Sequence, residues 1–148
     1  MPYEYEFPRP AVSVDLLVRR TIEEVDHVLL VQRRDAPFAG CWALPGGFMN
    51  MDETLEQAAQ RELEEETGLA ANSLRQLHTF SALGRDPRGR TISTTFEAFV
   101  DATATPEADD DAMDVSWFPV SDLPELAFDH SAILCHLLSR TNDVRPLN

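Results

Sequence analysis

Residues Leu44–Leu69 read LPGGFMNMDETLEQAAQRELEEETGL, and this stretch decides the fold. Thr54 and Gln57 make a T-x-x-Q capping box, and Gly68 stands where a glycine ends a helix. The spacing predicts a helix over Thr54–Thr67. Before it, Trp42–Gly47 reads as a short extended piece that ends in a glycine turn at Gly46-Gly47.

The helix is rich in glutamate, and its geometry sorts the charges. At about 100° per residue, Leu55, Ala58, Ala59 and Leu63 form one apolar stripe. Glu62 and Glu66 fall inside that stripe and Glu65 at its edge. Gln57, Gln60 and Glu64 face solvent. Carboxylates turned toward the protein body are costly when unpaired, and neighbouring ones raise each other's pKa. A hard divalent cation relieves both problems, and oxygen ligands one turn apart on a helix suit Mg²⁺ or Mn²⁺. Arg61 offers the other way to offset the charge, through salt bridges alone. A magnesium ion held by few carboxylates keeps positions for water and substrate phosphates. The glycine pair permits close backbone approach, so a carbonyl there could complete the coordination.

Outward from this helix, Ala11–Val18 and His27–Arg34 read as strands joined by a hairpin connection at Arg19–Asp26. Leu74–Leu83, Thr91–Val100 and Val115–Val120 are further strands, and Phe128–Arg140 is a second helix. Gly84–Arg90 is a turn, and Asp101–Asp114 is an acidic loop. Strands mixed with two helices predict one α/β domain over residues 1–148, with helices packed on a mixed sheet. At 148 residues the chain is long enough to bury a core without disulfides or structural metal.

Twelve Lys+Arg against 26 Asp+Glu leave a net charge of −14. Nucleic-acid and anionic-membrane partners are therefore not expected, since both are held by basic faces. Cys41 and Cys135 lie far apart, with no zinc spacing, and read as reduced thiols. The N-terminus lacks a basic region followed by an apolar one, so no signal peptide is expected, and no apolar run is long enough to span a membrane. A cytoplasmic location follows.

Gly47, Glu53 and the run Arg61-Glu62-Leu63-Glu64-Glu65-Glu66-Thr67-Gly68-Leu69 together resemble the Nudix box, G-x5-E-x7-R-E-U-x-E-E-x-G-U, at every fixed position. Leu63 and Leu69 fill the two bulky-aliphatic slots, and Leu44-Pro45-Gly46-Gly47 is also typical of that family. The resemblance implies an α/β/α sandwich with a mixed sheet. It also implies hydrolysis of a nucleoside diphosphate linked to another moiety. By the same resemblance Glu62, Glu65 and Glu66 hold metal with the carbonyl of Gly46, while Arg61 pairs with Glu53 and positions the ligands. The general base varies within the family: Glu62 is one candidate, and Asp109, Asp110 and Asp111 in the acidic loop are others. Asp110 and Asp111 are also candidate substrate contacts.

Gly84-Arg85-Asp86-Pro87-Arg88-Gly89-Arg90 places three of the twelve basic residues in one turn. Arg85, Arg88 and Arg90 are candidates for phosphate contact. This segment, and Leu126-Ala127-Phe128-Asp129-His130, resemble Nudix ADP-ribose pyrophosphatase-like proteins, although no role is assigned to His130. ADP-ribose is the expected substrate. A nucleoside triphosphate and a non-catalytic ligand-sensing domain are the alternatives. The chain ends at Asn148 without room for the winged-helix segment that follows such sensor domains, and its box is complete, so catalysis is expected. Phe38 and Trp42 are candidates to stack on the base. Tyr3, Tyr5 and Phe7, in an arm too short for its own core, suggest a homodimer.

Overall fold

A computed structural model describes residues 2–108 and 112–143. In chain order its elements are β1 (Ala11–Leu17), β2 (Arg19–Ile22), β3 (Val25–Arg33), β4 (Trp42–Ala43), β5 (Gly46–Phe48), α1 (Leu55–Thr67), β6 (Ser73–Phe80), β7 (Thr91–Phe99), β8 (Ala112–Pro119) and α2 (His130–Asp143). One sheet has the order β5-β1-β7-β6, with β1 and β7 parallel and the other pairs antiparallel. The second sheet is antiparallel and built on β3. There β8 runs along one edge, while β2 and β4 share the other. The chain passes from the first sheet to the second directly, because β1 runs almost without a break into β2.

Two helices cover opposite faces. In a strand, consecutive side chains point to opposite sides, and β1 and β3 use this twice. Leu16 and Leu29 pack with Ala58, Ala59 and Leu63 of α1. Their neighbours Leu17, Val28 and Leu30 pack with Ile133, Leu134 and Leu137 of α2. The result is the expected α/β/α layering. Among the described residues no helix is long and apolar enough to cross a membrane.

Three local differences from the sequence reading have physical causes. Arg19–Ile22 is itself a strand, because Glu23 and Glu24 both take positive φ (51° and 65°) and close the hairpin in two residues. Gly46-Gly47 lies within β5, paired antiparallel to β1 with Asp15 opposite Gly46 and Val14 opposite Gly47, rather than in a turn. The α2 helix starts at His130 instead of Phe128, because Phe128 has φ 53°, which no right-handed helix accommodates.

Candidate active site

Both ends of α1 are fixed by its own sequence, and this sets where its carboxylates point. The Thr54 hydroxyl accepts from the Gln57 N–H at 3.1 Å, and the Gln57 side chain accepts from the Thr54 N–H at 2.8 Å. At the other end Gly68, with φ 72°, donates to the Glu64 carbonyl at 2.9 Å. With the helix so registered, Ala58, Ala59 and Leu63 are fully buried. Glu62 and Glu66 are half-buried beside them, and Glu64 and Glu65 are exposed.

Strand β5 lies directly against these carboxylates. A Cβ on Gly47 would stand 2.5 Å from the Glu62 carboxylate. A Cβ on Gly46 would stand 2.2 Å from the Val14 carbonyl oxygen and 2.7 Å from Oδ1 of Asp15. Backbone leaves room only for glycine at 46, and at 47 a Cβ would force the Glu62 carboxylate to move. The bare backbone that results lets the Gly46 N–H donate to Glu66 Oε1 at 2.7 Å. The glycine pair thus serves close approach rather than chain reversal.

Arg61 is the hub of the acidic face. It donates through Nη2 to Glu53 Oε1 at 2.6 Å, and through Nε to both Glu53 oxygens at 3.2 and 3.0 Å. Nη1 donates to Glu62 Oε1 at 2.7 Å and to Glu65 Oε2 at 3.2 Å, and Nη2 reaches the Phe48 carbonyl at 2.9 Å. The Arg61 bond, helped by the Asn50 N–H, holds the Glu53 carboxyl below its usual range. Burial pushes the Glu62 carboxyl up, against the opposing pull of Arg61.

Of these groups, Glu62 and Phe48 border a cavity of about 310 Å³, whereas Arg61, Glu53 and Glu65 do not line it. Glu62, Glu66 and the Gly46-Gly47 backbone form one wall, and Arg33, Arg34 and Arg88 bring positive charge to it. Arg88 is aimed by Asp86, which is buried and accepts from Arg88 Nε and Nη2 at 3.1 and 2.9 Å. The Arg88 guanidinium lies 4.8 Å from the Phe48 ring centre and 4.9 Å from that of Phe128. Arg33 stands 4.9 Å from the same Phe128 ring, and burial, together with the Arg88 charge, lowers its pKa. Phe128 carries a positive φ, a strained state for an aromatic residue that recurs at ligand sites.

Of the three arginines singled out in the sequence, only Arg88 lines the cavity. The Arg85 side chain is buried and donates twice to Asp129, at 2.9 and 2.8 Å, tying the 84–90 turn to the start of α2. Arg90 bonds the Ser81 carbonyl at 2.8 Å. Phe38 is exposed and does not line the cavity, standing edge-on to Phe128 at 5.0 Å. Trp42 packs on Phe118 at 4.7 Å in the α2-side core. Asp109, Asp110 and Asp111 lie outside the described residues. Among the described residues no three acidic, His or Cys side chains stand in a ready ligating cluster, since Glu62 and Glu65 turn to Arg61 and Glu66 to Gly46. The sequence reading missed Arg33-Arg34, Asp15, Phe128 and His130 as cavity groups. The paired arginines at the end of a strand were the available signal. Asp15 and His130 meet only through the fold.

Residues 9–137 match the NUDIX domain family. The chain is 44% identical over 125 residues to an ADP-ribose pyrophosphatase of Methanocaldococcus jannaschii, covering 84% of this chain and 71% of that protein. It is 30% identical over 142 residues to the ADPR responsive transcriptional repressor NtrR of Acinetobacter baylyi, covering 93% of this chain but only 57% of the repressor. Among solved structures, the NUDIX domain of Shewanella oneidensis NrtR complexed with ADP ribose superposes with a TM-score of 0.85 at 32% identity, over 94% of each chain. Agreement across nearly the whole length, on a fold whose glycine strand and glutamate helix meet as the box requires, shows that the chain belongs to the Nudix family.

Proposed function

We propose that this protein hydrolyses the diphosphate of ADP-ribose, giving AMP and ribose 5-phosphate, in a Mg²⁺-dependent reaction. One observation carries the reading: the half-buried carboxylates of Glu62 and Glu66 and the guanidinium groups of Arg33 and Arg88 border a single cavity. Relatives named for ADP-ribose hydrolysis and for ADP-ribose response support the choice of ligand.

The donor set fits a hard cation. It is all oxygen, and the missing Cβ of Gly47 lets the Glu62 carboxylate lie directly against the strand backbone. Glu62, Glu65, Glu66 and the Gly46 carbonyl would hold the ion, with Arg61 and Glu53 orienting them. Bound there, Mg²⁺, or Mn²⁺ in its place, neutralises phosphate charge and acidifies water. The chain's own groups do the rest. Arg33 and Arg88 bind the diphosphate, and Phe48 and Phe128 wall its approach. A carboxylate takes the proton as the water oxygen bonds to one phosphorus and the bridging P–O bond breaks. Glu62 is the candidate for that step, because its carboxylate lines the cavity beside the Gly46-Gly47 backbone.

Two further parts belong to the same reading. Tyr3 and Phe7 are 66% and 71% exposed, and this aromatic arm would pack on a second copy to form a homodimer. Both cysteines are unpaired, as in a reducing cytoplasm. A net charge of −14 disfavours nucleic acid as partner. The non-catalytic alternative is favoured by the likeness to a repressor, and turnover decides between them. Assaying ADP-ribose, NADH, diadenosine polyphosphates and (d)NTPs with and without Mg²⁺, with products identified, tests the proposal. Light scattering at micromolar concentration tests the dimer.

A further inference from the structure

His130 opens α2, is buried and lines the cavity. Its Nδ1 lies 3.0 Å from the Leu44 N–H. A backbone N–H only donates, so Nδ1 must accept, and the ring proton sits on Nε2. Burial also lowers the His130 pKa, which keeps the ring neutral. Nε2 faces Oδ1 of Asp15 at 3.6 Å, too long for a direct hydrogen bond. The other oxygen of Asp15 is fixed by the Ser93 hydroxyl at 2.6 Å. Asp15 is itself buried and lines the same cavity.

A donor and an acceptor therefore stand side by side, 3.6 Å apart, on two residues that line the cavity. A phosphate has only acceptors at this edge and is repelled by Asp15. A protonated amine only donates and leaves the His130 N–H unanswered. A hydroxyl donates to Asp15 and accepts from His130. Asp15 also abuts Gly46, whose N–H holds Glu66, so the pair lies next to the proposed phosphate-handling carboxylates. We propose that Asp15 and His130 together recognise one sugar hydroxyl of the substrate and make the site selective against the corresponding deoxy sugar. This rests on the reading of the ligand as a nucleoside diphosphate sugar.

The test crosses protein variants with substrate analogues. Asp15→Asn removes the charged acceptor while keeping its shape. His130→Asn keeps an oxygen for the Leu44 N–H and removes the Nε2 donor. kcat/KM is measured for the full chain and both variants on ADP-ribose and on analogues each lacking one ribose hydroxyl, with folding checked by thermal unfolding. A hydrogen bond to a charged group corresponds to about 10–100-fold in kcat/KM. One analogue should lose that factor with the unaltered protein, and on that analogue the variants should lose less than about 3-fold further. If a variant does not fold, the other completes the comparison. Equal losses on every analogue, or no loss on any, would overturn the proposal. If ADP-ribose is not turned over at all, the substrate reading has failed separately. The same crossing is then made on the nucleotide that is turned over and its deoxy counterpart, where additive losses overturn the hydroxyl pair.

Discussion

Gly47 and Glu62 are in such close apposition that a methyl group on the glycine would overlap the carboxylate, at 2.5 Å from its carbon. Gly47→Ala should therefore displace Glu62 or β5. A misplacement of about 1 Å at a reacting group can lower the rate by about 10²-fold. A fall of that order in kcat/KM is expected, with far-UV circular dichroism unchanged because β5 is a three-residue edge strand. Full activity in the alanine variant would show that Glu62 need not occupy this position.

Arg61→Lys keeps the charge but cannot serve Glu53, Glu62, Glu65 and the Phe48 carbonyl at once. A loss of about 10–100-fold in kcat is expected, because the helix carboxylates lose a common anchor. Steady-state kinetics on the lysine variant checks this, and a loss below about 2-fold would reduce Arg61 to a surface ion pair.

Arg88 and Arg90 are two residues apart, yet only Arg88 faces the cavity. Arg88→Ala should raise KM for ADP-ribose by about 10-fold or more, because a phosphate contact made before and during the reaction acts as uniform binding. Arg90→Ala should leave KM within about 2-fold. Equal shifts in the two variants would contradict the placement of the loop.

His130 predicts a pH dependence of stability. Burial lowers its folded pKa below the ordinary 6.5, so between the two values the unfolded chain binds more protons than the folded one. Stability is then fully present above about pH 6.5 and is lost as pH falls through that window. The opposite sign applies to Glu62, whose raised pKa makes the carboxyl favour the fold as pH falls. Thermal unfolding from pH 7.5 to 5.5 should show a falling Tm that is flatter in His130→Asn. Parallel profiles would contradict a buried neutral imidazole.

Much of the site was legible in the sequence because α1 carries its own boundaries. Thr54, Gln57 and Gly68 set its register, and the register alone separates inward Glu62 and Glu66 from outward Glu64. The role of Gly46-Gly47 was harder. A glycine pair reads locally as a turn, and only the closeness of Glu62, sixteen and fifteen positions further on, shows why side chains are excluded. The arginine turn illustrates the same limit. Charge clustering identified the 84–90 segment, but Asp129 and the Ser81 carbonyl, which draw Arg85 and Arg90 away, are supplied by tertiary structure. Asp15 and His130 lie 115 positions apart and carry no local signal at all.

The most direct measurement is hydrolysis of ADP-ribose by purified protein, with and without Mg²⁺, for the unaltered chain, Glu66→Gln and Glu64→Gln. The account predicts AMP and ribose 5-phosphate only when Mg²⁺ is present. Glu66→Gln should lower kcat by at least about 10²-fold through loss of a charged ligand beside the phosphate, and solvent-facing Glu64→Gln should be nearly silent. Equal effects of the two substitutions, or efficient dNTP hydrolysis with ADP-ribose untouched at saturating Mg²⁺, would contradict it.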